Sequence, residues 1–181
     1  MIRLKKLLRE LSEKEINRLL DKIRNKQFRF IGSGDNARVY EIDGEDKVFK
    51  VTTERDEFEV AKIIVGRWSE FTTFIPVYYV NEREHMFIVA NADILLDSDR
   101  QMIDEFMKRY GDYARREGGE VSIFDFLDAD GARNTNTKLV NFIRALQRDI
   151  QKIGIEEFDL DLDFSSDNMM MWNGKMVLVD W

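Results

Sequence analysis

Apolar residues recur at helical spacing through the first 27 positions: Leu4, Leu7, Leu8 and Leu11, then Ile16, Leu19, Leu20 and Ile23. A period of 3.6 predicts helix. Ser12 followed by Glu15 has the form of a capping box, so a break falls at Ser12 and a second helix follows it. From Phe28 the period shortens to two. Residues 28–31, 39–42 and 48–51 read as three strands, with Asp43-Gly44 as a turn signal. Over 54–68 the helical period returns, placing Phe58, Ala61, Ile64, Val65 and Trp68 on one face. Pro76 opens a strand over 77–80, and the polar turn 81–84 leads to another over 86–90. The expectation is five antiparallel strands with one inserted helix.

Beyond Asp99 the pattern is mostly helical. Met102, Ile103, Phe106, Met107 and Tyr110 predict one helix, and Leu139, Phe142, Ile143, Leu146, Ile150 and Ile153 a long amphipathic one. Between them, residues 111–136 are rich in Gly, Asp and Asn and read as loop, with a short apolar interruption at 123–127. At the end, 169–172 and 175–179 form a hairpin around Asn173-Gly174. The chain thus divides into an N-terminal helical extension (1–27), a sheet lobe (28–91) and a reduced helical lobe (92–181).

Composition narrows the function classes. A chain of 181 residues, 44% hydrophobic, builds one domain or two small lobes with a core. It has no apolar run of 18 or more and no secretory leader pattern, so a cytoplasmic setting is expected. Without cysteine there is no thiol nucleophile and no zinc-thiolate site. The single His85 cannot build a histidine-rich metal site. A net charge of −7 argues against nucleic-acid binding. The charge is uneven: residues 1–27 carry about +5, leaving the rest near −12 by subtraction. That basic stretch reads either as a docking arm or as helices packing their leucines on the domain. Glu10, Glu13, Glu15 and Asp21 dilute the charge and favour packing, with no membrane contact.

Four constellations carry chemistry. Gly32-Ser33-Gly34 lies between two predicted strands, where glycines let backbone N–H groups approach phosphate oxygens; a plain hairpin turn is the other reading. Lys50 sits in an otherwise apolar strand, costly unless it meets an anion; otherwise it is an edge lysine facing water. At 100° per residue, Glu57 falls inside the apolar stripe of the 54–68 helix and Glu59 on the opposite face, so Glu57 is the expected partner of Lys50, with Glu54 in reserve. Last, Asp159, Asp161, Asp163, Asp167 and Asp180 crowd the terminal block. A calcium loop does not fit, because its sixth position is Phe164 and its twelfth Met170. A hard oxygen site for Mg²⁺, completed by phosphates, fits better.

In order and spacing these elements resemble the protein-kinase-like fold. Residues 32–39 look like the Gly-rich loop, with Ala37 at its third glycine and Val39 following. Lys50 looks like the strand lysine, Glu57 like the helix glutamate, Asp163 with Asn168 like the catalytic loop, and Asp180 like the metal-binding Asp. Over about 28–181 the pattern is most similar to the compact early serine/threonine kinases of short-tailed bacterial viruses. The resemblance implies a minimal two-lobed α+β fold and an ATP- and Mg²⁺-dependent phosphotransferase. In it, Gly32, Ser33, Gly34, Val39 and Lys50 bind nucleotide, Asn168 and Asp180 bind metal, and Asp163, Lys50 and Glu57 serve catalysis. A protein hydroxyl is the expected acceptor.

There are departures. The usual histidine is Asp161, the lysine two residues after the catalytic Asp is Ser165, and within these 181 residues Asp180 is followed only by Trp181. These favour the alternative, a catalytically idle kinase-like module that binds a host protein. A third reading, an acidic mimic of nucleic acid, rests on charge alone.

Overall fold

Ser12 and Glu15 cap each other. The Ser12 hydroxyl accepts from the Glu15 N–H at 3.3 Å, and the Glu15 carboxylate accepts from the Ser12 N–H at 2.9 Å. This box opens helix α1 (Glu13–Arg24) in the computed structural model, which describes residues 11–119, 121–131, 133–154 and 164–180. The helix expected over Leu4, Leu7 and Leu8 lies outside the described residues. The chain divides into two units, one of Met1–Phe71 and Ile75–Ala92, the other of Thr72–Phe74 and Asp93–Trp181.

In the first unit, β1 (Phe28–Ser33), β2 (Ala37–Ile42), β3 (Lys47–Thr52), β4 (Val77–Asn81) and β5 (Met86–Ala90) form one antiparallel sheet in the order β1-β2-β3-β5-β4. Between β3 and β4 lies α2 (Arg55–Ile64). Side chains alternate across a strand, so Phe49 and Val51 point to one face and Val48, Lys50 and Thr52 to the other. The first face holds a buried cluster of Leu19, Ile42, Phe49, Met86 and Ile88, against which Leu20 and Ile23 of α1 also pack. α1 is therefore part of the core, as its diluted charge suggests. Lys22 donates to the Asp43 carbonyl at 2.6 Å and pairs with Glu45 at 2.5 Å; Arg18 pairs with Glu45 at 2.7 Å. These contacts pin α1 to the β2–β3 turn.

α2 ends at Ile64 rather than 68. Gly66 takes φ +73°, and Trp68–Glu70 form a separate 3₁₀ turn. Left-handed backbone ends a helix even where the apolar period continues.

The second unit contains β6 (Asp93–Ile94), α3 (Asp97–Glu117), α4 (Ile123–Phe126), α5 (Thr137–Ile153), β7 (Met169–Trp172) and β8 (Lys175–Leu178). The loop expected over 111–136 is largely wrong. α3 runs to Glu117 and stops at Gly118, φ +98°. Gly111 inside it costs only about 1 kcal/mol relative to Ala, and an Asp112–Arg115 ion pair follows on the solvent face. The apolar interruption is α4, capped by Ser122 and continued as a π-helical turn over Leu127–Gly131. Its Phe126 packs on Phe106 of α3 with ring centroids 5.3 Å apart. At the end of the chain Asn173 and Gly174 both take positive φ, +50° and +75°, and close the β7–β8 hairpin. β6 pairs on the outer edge of β7, an addition no sequence period foretells in two residues.

The α+β class is as expected: a five-stranded antiparallel sheet with a helix between its third and fourth strands, followed by a mainly helical unit. Among the described residues no helix is long and apolar enough to cross a membrane.

Leu19 is only 2% exposed. Leu19→Ala should cost about 2–5 kcal/mol of stability in urea denaturation. A loss below about 0.5 kcal/mol would mean that α1 is an appendage.

Candidate functional site

β3 is the middle strand of five, so Lys50 is no edge lysine. It is 6% exposed. Its register neighbours form a row across the sheet: Gly32 opposite Val39, Val39 opposite Lys50, and Lys50 opposite Phe87. Directly opposed residues share a face. Val39 and Lys50 therefore project together, away from the α1-covered face.

A buried ammonium needs an anion. Glu57, in the first turn of α2 and 1% exposed, forms an ion pair with Lys50. Glu59 is partly exposed and pairs with Lys62 at 3.0 Å. Glu54 is the N-cap residue of α2, and its carboxylate accepts from the Asn36 amide at 3.1 Å. The α2 stripe thus separates the three acids as its geometry requires.

Between β1 and β2 the chain turns through residues 34–36. The Gly34 N–H donates to the Ala37 carbonyl at 3.1 Å. The Asn36 carbonyl accepts from the Thr53 N–H at 2.8 Å and the Thr53 hydroxyl at 3.1 Å. The turn is therefore tied to the end of β3, close in sequence to Lys50. Neither Gly32 nor Gly34 has positive φ, and a Cβ at either would meet no heavy atom within 4 Å. The fold itself does not demand glycine there. Bare backbone facing open space beside the Lys50 row is what close approach of a ligand requires.

In the second unit the β7–β8 hairpin brings two expected metal ligands together at its open end. Met169 pairs with Leu178, and the Val179 N–H donates to the Asn168 carbonyl at 2.9 Å. Asn168 is thus opposite Val179, one residue from Asp180; both Asn168 and Asp180 are partly buried. Asp167 turns outward and pairs with Arg100 at 2.6 Å. Asp163 lies outside the described residues, as do Asp159 and Asp161. Among the described residues no three His, Cys, Asp or Glu side chains gather as a closed metal cage. Mg²⁺ held by one carboxylate and one amide oxygen, with phosphates and water completing the shell, does not need one.

Sequence reasoning missed Asp149. It is 1% exposed on α5, among Leu146, Ile150 and Ile153. Its Oδ2 accepts from the Thr72 and Thr73 N–H groups at 2.6 and 3.0 Å, and from their hydroxyls at 3.1 and 3.0 Å. Its Oδ1 pairs with Lys152 at 2.7 Å. Burial pushes this carboxyl up, but the hydrogen bonds from Lys152, Thr72 and Thr73 outweigh it and hold it below its usual value. The signal was present: an acid inside an apolar stripe, the same argument that selected Glu57.

No protein-family profile matches the chain, and no curated protein is detectably similar to it. Among solved structures, one described as the streptomycin–ATP–APH(2")-IIa ternary complex is similar at 16% identity, covering 94% of this chain and 70% of that chain, with a TM-score of 0.35.

Two outcomes follow from the buried acids. Glu57→Ala strands the Lys50 charge and should cost about 3–5 kcal/mol, whereas Glu59→Ala should cost under about 1 kcal/mol; denaturant melts of both compare them. Asp149, with its folded pKa depressed, contributes stability that is whole above the unfolded value of about 4 and is lost as pH falls through the folded one. Wild-type stability should therefore drop more steeply below about pH 4 than that of Asp149→Asn. Parallel slopes would contradict the assignment.

Proposed function

We propose that the chain is an ATP- and Mg²⁺-dependent phosphotransferase of minimal kinase-like fold. The observation that carries this reading is the buried Lys50–Glu57 pair in one row with Val39 and Gly32. A hydrophobic pair would serve the core as well or better. A lysine buried against a glutamate in the middle of a sheet, beside a turn of glycines the fold does not need, supports a role toward phosphate.

In this reading the backbone of Gly32, Ser33 and Gly34 covers the phosphates. Lys50, braced by Glu57, pairs with the α- and β-phosphate oxygens. Asn168 and Asp180 supply oxygens to Mg²⁺, which neutralises charge on the phosphates when bound. Asp163 accepts the proton of an acceptor hydroxyl. The hydroxyl oxygen bonds to the γ-phosphorus, the bond from that phosphorus to the β,γ-bridging oxygen breaks, and ADP leaves with the electron pair. The acceptor is a protein hydroxyl, in line with the likeness to compact viral kinases; a small-molecule hydroxyl is the competing acceptor.

Transfer of radiolabel from γ-labelled ATP to a bacterial lysate, or to the chain itself, tests the activity. Asp163→Asn should lower turnover by about 10²–10⁴-fold with nucleotide affinity nearly unchanged. Equal rates in mutant and wild type, or no transfer by either, would favour an idle binding module. Asp180→Ala should abolish the Mg²⁺-dependent part of ATP binding in calorimetry with little loss of stability. Unchanged Mg·ATP affinity would remove the metal role.

A further inference from the structure

Thr72–Phe74 belong to the second unit, although the residues on both sides of them belong to the first. Two features tie this short segment to its unit. On one side, Phe74 forms a parallel bridge to Leu178, and the Thr73 carbonyl accepts from the Leu178 N–H at 2.6 Å. On the other, Thr72 and Thr73 send both N–H groups and both hydroxyls to the single oxygen Oδ2 of Asp149. Thr73 is 1% exposed, as is Asp149.

The consequence lies two residues beyond the end of β8. Successive N–H groups of a strand point to opposite edges. Leu178 is held from one edge by Thr73, and Val179 from the other by Asn168. The next residue is Asp180. The strand end that carries Asp180 is thus clamped on both sides. One jaw, Asn168, is itself an expected metal ligand. The other is a segment with no regular structure of its own, whose polar groups converge on a buried carboxylate.

We infer that Asp149 is a positioning residue for Asp180: through Thr72 and Thr73 it fixes the edge to which Leu178 bonds, and so the place where the Asp180 carboxylate meets a metal. This rests on the reading of Asp180 as a Mg²⁺ ligand. An aspartate suits the task because four donors converge on one ionised oxygen, which no neutral side chain accepts equally well. Lys152 on the other oxygen keeps the carboxylate charged. Groups that support a metal ligand from behind govern affinity without touching the ion.

The test combines calorimetry of ATP with Mg²⁺ and with EDTA, and amide hydrogen exchange. Wild type should bind ATP more tightly with Mg²⁺ than with EDTA. Asp149→Ala should lose about 10–100-fold of that gain, with the affinity in EDTA unchanged. The amides of Leu178 and Val179 should exchange faster, while those of Ile103 and Ile143 in α3 and α5 keep their protection. Asp149→Asn, which retains one acceptor oxygen, should fall between. If Asp149→Ala does not fold, Thr73→Val, lacking one donor, should show a smaller shift in the same direction. An intact Mg²⁺ gain, or unchanged Leu178 exchange, in a folded variant overturns the positioning role alone. Faster exchange across all of α3 and α5 does so too, since it marks a general loss of stability. A wild type with no Mg²⁺ gain overturns the reading of Asp180 itself, and this inference with it.

Discussion

Burying a lysine in the central strand of a sheet costs several kcal/mol unless an anion is buried with it. That cost ties together most of the first unit. It fixes the rotation of α2, because only one rotation brings Glu57 to Lys50 while leaving Glu59 with Lys62 in solvent. It requires both faces of β3 to be covered, one by α2 and the other by α1, whose Leu19 completes the opposite core. It also gives the register a purpose. A slip of one residue would turn Lys50 toward Leu19, Ile42 and Ile88, away from Glu57.

The second unit obeys the same rule with the sign reversed. Asp149 is an anion inside an apolar helix stripe, and its charge is met by backbone and hydroxyl donors as well as by Lys152. Donors from two successive residues impose more geometry than a single ion pair. Because those residues also hold Leu178, the constraint passes to the end of β8. In both units a buried charge orients a piece of backbone next to a residue that the kinase-like pattern singles out.

Much of this was legible in the chain. Short apolar runs bounded by turn signals through 28–52 and 77–90 mark all five strands, and Asn173-Gly174 marks the hairpin, because that dipeptide favours a turn with positive φ at both residues. The pairing of Lys50 with Glu57 rather than Glu59 was legible because helical phase is a strong constraint over ten residues. Other features were not. The early end of α2 depends on Gly66, which the apolar period through Trp68 masks. α3 runs seven residues past Tyr110 because its last turns are stabilised by charge and by Tyr113 packing on Phe126 rather than by an apolar stripe. β6 is two exposed residues that are strand only because β7 lies beside them. Asp149 lies in the apolar stripe of α5 as Glu57 does in that of α2, so helical phase marks both acids.

In the proposed function the Lys50–Glu57 pair holds nucleotide phosphates. Phosphorus NMR of Mg·ATP with the protein tests it most directly, comparing wild type with the double variant Lys50→Met, Glu57→Leu. Replacing a buried ion pair by apolar residues of similar volume is often neutral or stabilising, so the variant keeps the fold and loses only the charges. The α- and β-phosphorus resonances should move in the presence of wild type and stay at their free positions with the double variant. Shifts that survive in the folded variant, or none with wild type, would contradict the account.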